Sequence, residues 1–165
     1  MIRTPRLLLR RWRSADAAPL AALNADPEVM RFVGGPLSRE ASDATIARST
    51  AFFAETGYGR YAVEWRGECV GYVGLGRHPF VGDDVEIGWR LARHAWGNGL
   101  ATEGARAVVA AAPSYELDRL VSVVHPDNAA SRAVCGRLGM ALEVERDGLL
   151  VYALTTSRSE PASSG

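Results

Sequence analysis

The hydrophobic pattern of the chain changes several times between a period of two residues and a helical period of about 3.6. Short apolar runs bounded by turn residues predict strands at 6–12, 61–65, 68–75, 85–91 and 119–125, and a hairpin within 142–154. Apolar residues three and four positions apart predict helices that begin near residues 16, 38, 100 and 128, with a short helical turn near residue 27. This alternation of strands and helices predicts a mixed α/β fold.

Capping and turn residues mark the ends of these elements. Asp16 and Ser38 each stand where a helix begins. Arg66-Gly67 and Asp147-Gly148 each separate two strand-like runs at the spacing of a tight hairpin. Because successive strands joined by short loops pair in the antiparallel sense, the order β-α-α-β-β-β-α-β-α-β-β predicts one central, mostly antiparallel sheet with helices on its faces.

The composition limits the classes of function. The chain has 165 residues, 47% of them hydrophobic, and a formal net charge of zero. This fits a single domain over 1–155, followed by a disordered Ser-rich tail at 156–165. The zero net charge argues against a direct nucleic-acid partner.

The chain has no signal segment after Met1 and no apolar run near about 20 residues, so we expect a cytoplasmic protein without a membrane partner. Cys69 and Cys135 lack metal-ligand spacing, so we expect free thiols and no metal.

A glycine-rich segment lies between a predicted strand and a predicted helix, and it reads Trp96-Gly97-Asn98-Gly99-Leu100-Ala101-Thr102-Glu103. Its glycines leave backbone N–H groups unobstructed and the helix N-terminus adds positive potential, which together favour an anion such as a pyrophosphate. A hairpin at Asn98-Gly99 is disfavoured because helical periodicity follows. A dinucleotide-binding turn is weakened because Thr102 replaces its third glycine. A plain connecting loop remains as an alternative.

A second segment, the predicted helix from Asn128, places a hydroxyl and a thiol on one apolar face. Ser131, Val134, Cys135 and Leu138 recur at positions i, i+3, i+4 and i+7. This face could meet a ligand. Alternatively, Asn128 or Asp127 only caps the helix and Ser131 only bonds back to the backbone.

Together the two segments resemble the coenzyme A motifs of the Gcn5-related N-acetyltransferase (GNAT) superfamily, particularly its RimJ/RimL-like branch. The resemblance runs from 4–10 through 26–30 and 85–89 to 138–140. It implies a sheet of about seven strands splayed between strands 4 and 5. It also implies direct transfer of acetyl from acetyl-CoA to a primary amine of a small molecule or a protein N-terminus, by a monomer or homodimer. A non-catalytic acyl-CoA binding or sensing domain is the alternative, and a nucleotide-binding module is a third possibility.

The resemblance also implies which residues bind the cofactor. The family signature Gln/Arg-x-x-Gly-x-Gly/Ala falls on Trp96, Gly99 and Ala101, where Trp96 departs from the usual Gln or Arg. The implied acceptor segments are 30–59 and 76–84. The implied cofactor contacts are Leu91, Trp96, Gly97, Asn98, Gly99, Leu100, Ala101, Thr102, Asn128 and Ser131.

Amide formation needs a base, because an alkyl amine is mostly protonated at neutral pH. Glu86, beside the implied opening, is the candidate base, or else a carboxylate that orients the substrate. His78 and His125 are the other candidate bases, although a structural role suits both. Many relatives protonate the leaving thiolate with a Tyr at the position of Cys135, so the resemblance assigns this role to Ser131 or to Cys135.

Overall fold

One mixed sheet organises residues 1–156, which the computed structural model describes. The predicted tail at 156–165 lies outside the described residues except for Thr156. The sheet order is β1-β2-β3-β4-β5-β6-β8-β7, in which β5 and β6 are parallel and the other neighbours antiparallel. The strands are β1 (Ile2–Arg3), β2 (Leu7–Arg10), β3 (Arg60–Trp65), β4 (Glu68–Arg77), β5 (Val85–Leu91), β6 (Arg119–Val124), β7 (Ala141–Arg146) and β8 (Leu149–Thr155).

Five helices accompany the sheet within the described residues, together with short 3₁₀ turns. They are α1 (Ala17–Asn24), α2 (Pro27–Met30), α3 (Arg39–Thr56), α4 (Leu100–Ala111) and α5 (Ala129–Arg137). The side chain of Ser38 accepts a hydrogen bond from the backbone N–H of Ala41, as the predicted cap of α3 requires. The mixed α/β fold predicted from the sequence is therefore confirmed. The two-residue strand β1 was not predicted, because it is too short to show a hydrophobic period.

Asp16 differs from its prediction in chemistry, although it stands at the N-cap position of α1. Its side chain makes no capping bond to the helix. Instead its carboxylate accepts hydrogen bonds of 2.7 and 2.9 Å from the guanidinium of Arg10 on β2. Both side chains are buried, so this ion pair ties α1 to the sheet.

The two predicted hairpins share one turn geometry. Arg66 and Gly67 have φ of 53° and 83°, and Asp147 and Gly148 have φ of 52° and 76°. Positive φ at both central residues is the type I′ pattern that matches the twist of antiparallel strands.

The two faces of β4 and β5 differ in character. Residues paired directly across these strands point to the same side, so Val73 and Ile87 belong to the face that α4 covers. Gly104 lets α4 approach closely, because a Cβ there would lie 3.2 Å from a methyl of Val73. The opposite face carries Tyr72, Glu86 and Arg90. It therefore presents charged and aromatic groups where the first face is apolar.

The sheet opens between β5 and β6. These parallel strands share one register pair, Glu86 with Val121, and then diverge. This is the splay that the family resemblance implied between the fourth and fifth predicted strands. We call this junction the seam. No helix within residues 1–156 has the length and apolar character needed to cross a membrane.

Candidate active site

A cleft of about 1630 Å³ occupies the seam and extends to the N-terminal ends of α4 and α5. Of the predicted acceptor segments, 31–34 and His78 line it. The predicted site residues along its wall are Glu86, Leu91, Trp96, Gly97, Gly99, Leu100, Ala101, Thr102, Asn128 and Ser131. Asn98 and Cys135 are predicted site residues that do not line the cleft.

The glycine-rich segment forms a cradle of backbone N–H groups, from Gly97 to Thr102. Gly97 and Gly99 have φ of 75° and 71°, the left-handed region that glycine enters without strain. Within residues 1–156, none of the six N–H groups from 97 to 102 is bonded to an acceptor. Because the last three belong to the first turn of α4, the cradle joins free donors to the positive end of a helix.

The side chain of Thr102 adds a further free group to the cradle. Its hydroxyl oxygen is buried and has no hydrogen-bond partner among residues 1–156. A buried hydroxyl without a partner is costly, so this group favours a polar ligand in the cradle. An anion with several oxygens, such as a pyrophosphate, fits these donors.

Two residues that sequence reasoning missed brace the cradle from outside. The guanidinium of Arg6 donates to the carbonyl oxygen of Asn98 at 2.8 Å and to the carboxylate of Glu103 at 2.6 Å. Although partial burial would raise the pKa of Glu103, hydrogen bonds from Thr4 and Arg6 hold it below its usual value. Glu103 therefore stays charged and keeps Arg6 against the loop.

Trp96 and Asn98 shape the loop through their side chains. The indole N–H of Trp96 donates to the carbonyl oxygen of Leu91 at 2.7 Å. The amide of Asn98 donates to the carbonyl oxygens of Ala95 and Trp96. These bonds join the end of β5 to the cradle, which explains why Asn98 is turned away from the cleft wall.

Glu86 lies at the narrow end of the seam, on the face opposite α4. Its side chain is 9% exposed, and the guanidinium of Arg60 donates to it at 3.1 Å. Burial raises the pKa of Glu86, and the opposing effects of Arg60 and His78 do not cancel this shift. The site thus contains a buried carboxylate that binds a proton more readily than an ordinary glutamate.

His78 and His125 both line the cleft, but each ring is committed to its own loop. The Nδ1 atom of His78 accepts a hydrogen bond from the backbone N–H of Phe80, and that of His125 from the N–H of Asp127. In a neutral ring this places the proton on Nε2, so neither Nε2 atom can accept a proton in this form.

The N-terminus of α5 brings Ser131 to the seam. The side chain of Asn128 accepts a hydrogen bond from the backbone N–H of Ser131 at 3.1 Å, so Asn128 caps the helix. The hydroxyl oxygen of Ser131 accepts a bond of 3.2 Å from the indole N–H of Trp89 on β5. Since this bond uses a lone pair of the oxygen, the hydroxyl proton remains free to be donated.

Cys135 lies one turn further along α5, in the core. It is fully buried, and burial raises the pKa of its thiol to about 11. The structure therefore separates the two groups that the helical pattern placed on one face, with Ser131 at the cleft and Cys135 beneath it. Among residues 1–156 no group of three or more His, Cys, Asp or Glu side chains is arranged to hold a metal ion.

Arg60, Tyr72 and Arg90 line the cleft beside Glu86, and sequence reasoning missed all three. The signal was present in part. Strand alternation within 85–91 puts residues 86, 88 and 90 on one face, which would have grouped Arg90 with Glu86. The partners on β3 and β4 depend on the strand register, which the pattern does not specify.

Comparison with known proteins gives consistent matches along this chain. The protein-family model described as acetyltransferase (GNAT) domain matches residues 6–141. The chain is 30% identical over 148 residues to the uncharacterized N-acetyltransferase YoaA of Bacillus subtilis (strain 168), covering 87% of this chain and 84% of that protein.

Solved structures share the architecture over nearly their whole length. An acetyltransferase from Agrobacterium tumefaciens str. C58 superposes with a TM-score of 0.83 at 32% identity, covering 93% of this chain and 92% of that one. A RimL ribosomal L7/L12 alpha-N-protein acetyltransferase in complex with coenzyme A has a TM-score of 0.78 at 21% identity, covering 92% of this chain and 95% of that one. At that identity the second likeness concerns the fold alone.

Proposed function

Because the chain belongs to the acetyltransferase (GNAT) domain family, we propose that it transfers acetyl from acetyl-CoA to a primary amine by direct attack. One observation carries the proposal. The seam connects the cradle, on the α4 side of the sheet, with the buried carboxylate of Glu86 on the opposite face. A donor held on one side can thus meet an acceptor held on the other.

The cradle fits the pyrophosphate of coenzyme A. The free N–H groups from 97 to 102 and the Thr102 hydroxyl are the donors that would hold it. The RimL protein of the same fold was solved with coenzyme A, which supports this choice of cofactor. Bound acetyl-CoA would supply the acetyl thioester, and the remaining chemistry depends on side chains of this chain.

We assign removal of the ammonium proton to Glu86 and stabilisation of the departing sulfur to Ser131. The carboxylate of Glu86 takes a proton from the incoming ammonium group, directly or through water, so that the amine becomes a nucleophile. As the amine nitrogen bonds to the acetyl carbon and the carbon–sulfur bond breaks, the hydroxyl of Ser131, held by Trp89, would donate a hydrogen bond to the departing sulfur. The second proton lost by the nitrogen would then protonate the thiolate. Cys135 is the weaker candidate for this second role, because its thiol lies in the core.

The test is to incubate the protein with acetyl-CoA and a panel of primary amines. Release of free coenzyme A thiol, together with an acetylated product identified by mass spectrometry, would support the proposal. Binding of acetyl-CoA without turnover of any amine would instead favour an acyl-CoA binding or sensing domain. If the protein bound neither acetyl-CoA nor any of the amines, the proposal would be wrong.

A further inference from the structure

The face of the sheet that carries Glu86 also carries two arginines and a tyrosine. The strand registers pair Tyr72 with Arg90, and they pair Gly74 with both Arg60 and Gly88. Gly88 lies on the same face without a side chain, and a Cβ there would meet only a carboxylate oxygen of Glu86, at 3.8 Å. All four polar groups line the cleft, so this face borders the space where the acceptor would lie. We call this cluster of Arg60, Tyr72, Glu86 and Arg90 the acceptor floor.

Arg90 has no counter-charge among residues 1–156. Its Nη1 donates to the side-chain oxygen of Asn24 at 2.9 Å, and Asn24 is a buried neutral amide. Its Nε is buried without a hydrogen-bond partner. None of the ion pairs within the described chain includes Arg90. Arg10 lies on the same face and, unlike Arg90, has counter-charges, because it bonds to the carboxylates of Asp16 and Glu64.

Tyr72 holds a second guanidinium near the first. The guanidinium carbons of Arg60 and Arg90 lie 5.2 and 5.3 Å from the centroid of its ring. The Nε of Arg60 is also buried without a hydrogen-bond partner, and among residues 1–156 the one carboxylate paired with the Arg60 guanidinium is that of Glu86. The floor therefore has two positive groups and one negative group. A half-buried positive charge without a counter-charge, such as that of Arg90, is unfavourable, and an oxyanion from a ligand would relieve it.

We propose that the acceptor is a small amine that also carries an oxyanion, a carboxylate or a phosphonate, bound by Arg90 at the acceptor floor. The inference rests on the proposed function, because it names the class of acceptor. Its amine end lies towards Glu86 and its oxyanion end towards Arg90. The oxyanion site is distinct from the cradle, which lies on the α4 side of the sheet.

The test compares three amines of equal chain length, an aminoalkyl carboxylate, the matching phosphonate and the uncharged carboxamide. We expect kcat/KM for the better oxyanion to exceed that for the carboxamide by about tenfold or more, because a site built for a charged group rejects the analogue without it. The ranking of carboxylate and phosphonate identifies the oxyanion.

Arg90→Gln should abolish the preference for the oxyanion mainly through KM, and Arg90→Lys should keep part of it. Arg13→Gln, a change at an exposed arginine paired with Glu64 and outside the cleft, should keep the wild-type preference.

Calorimetric titration of the three compounds gives a second readout that needs no turnover. Tighter binding of an oxyanion compound to the wild type than to the folded Arg90→Lys and Arg90→Gln variants supports the oxyanion site even if no amine is acetylated. In that case only the proposed function fails. If the carboxamide is turned over and bound as well as both charged compounds, the oxyanion proposal is wrong, while acetyl transfer stands.

Discussion

Burial affects the carboxyl group of Glu86 more strongly than its contact with Arg60 does, so its pKa is raised. The carboxylate is the form that accepts the amine proton. We therefore expect kcat/KM to fall as the pH drops through this raised pKa, at a higher pH than for an ordinary glutamate. Glu86→Gln should lower kcat by about a hundredfold or more and remove this acidic limb. Steady-state kinetics over a pH series measures both effects.

The raised pKa of Glu86 also means that Glu86→Gln should fold about as stably as the wild type, so its activity can be measured. A carboxyl group with a raised pKa in the folded protein contributes stability below its unfolded pKa and loses it as the pH rises through the folded pKa. At neutral pH, above the unfolded pKa, the buried carboxyl group of Glu86 is therefore a cost to folding. We expect the melting temperature of the variant to lie no more than a few degrees below that of the wild type. An unchanged pH profile in the folded variant would remove Glu86 from this role.

Ser131 is the second residue whose role can be isolated by a small change. If its hydroxyl stabilises the departing sulfur, Ser131→Ala should lower kcat by about tenfold or more while the affinity for acetyl-CoA stays nearly constant, since this bond strengthens as negative charge develops. Single-turnover kinetics and a cofactor titration separate the two quantities. Cys135→Ala is the comparison, and a larger loss of kcat there than in Ser131→Ala would contradict the assignment.

At this scale the sequence predicted contacts within an element better than contacts between elements. Residue type at the start of the helix was enough to suggest Asn128 or Asp127 as the cap, and Asn128 makes the bond, to the backbone N–H of Ser131 three residues on. The bond between Trp89 and Ser131 joins residues 42 positions apart, and the one between Arg60 and Glu86 joins residues 26 apart. Such pairs depend on how strands and helices pack, so no local pattern could identify them.

At the scale of elements, the entry into α4 determines the geometry of the cradle. Gly99→Leu should weaken acetyl-CoA binding by about tenfold or more, because a side chain at positive φ distorts the loop that presents the N–H groups. Gly148→Leu is a matched control. Gly148 also has a positive φ, 76° compared with 71° for Gly99. A Cβ added at either position would have no backbone atom within 4 Å beyond its chain neighbours.

Both variants should lose similar stability, about 1 to 2 kcal/mol, because the backbone strain is alike. Only Gly99→Leu should lose cofactor affinity, which a thermal titration with acetyl-CoA would measure. Equal affinities in the two folded variants would show that the loop merely connects β5 to α4.

The ion pair between α1 and β2 is a second feature at this scale. Although burial alone would raise the pKa of Asp16, hydrogen bonds from Arg10 and the backbone of Arg13 lower it. Its contribution to stability is therefore present above the unfolded pKa and is lost as the pH falls through the folded pKa. Asp16→Asn should cost about 3 kcal/mol at pH about 7, since it leaves Arg10 without its buried partner.

Urea denaturation at neutral and acidic pH would measure this cost. Asp43→Asn removes an exposed ion pair with Arg39 and should cost less than about 1 kcal/mol. If the two variants lost the same free energy of unfolding, the pair between Arg10 and Asp16 would not fasten α1 to the sheet.

Strand positions were predictable here, whereas strand order was not. The sequence predicted a hairpin within 142–154, but the sheet places its second arm, β8, next to β6 and leaves β7 at the edge. The reason is burial. β7 is exposed along its length, while Leu150, Val151 and Tyr152 of β8 are buried. The more apolar arm takes the inner position, although the periodicity of the hairpin alone did not decide this.

For the whole molecule, acetyl-CoA binding should appear as a change in thermal stability. A ligand that binds only the folded state stabilises it by about 2.7 kcal/mol at a concentration of about 100 times its Kd. For a protein of this size, we expect the melting temperature to rise by about 5 to 10 °C. NAD at the same concentration is the control, because a nucleotide-binding module would respond to it. A rise with NAD and none with acetyl-CoA would contradict the assignment of the cradle.

The seam has one more consequence, which concerns self-association. A strand without a neighbour exposes a row of free backbone groups, and on a protein surface such a row recruits strands from other molecules and starts aggregation. Past Glu86, β5 and β6 leave such rows within the sheet. Residues of α4 and α5 line the same cleft, so these helices flank the unpaired backbone. The interior gap can therefore stay open for a slender ligand without becoming a nucleus for fibre growth.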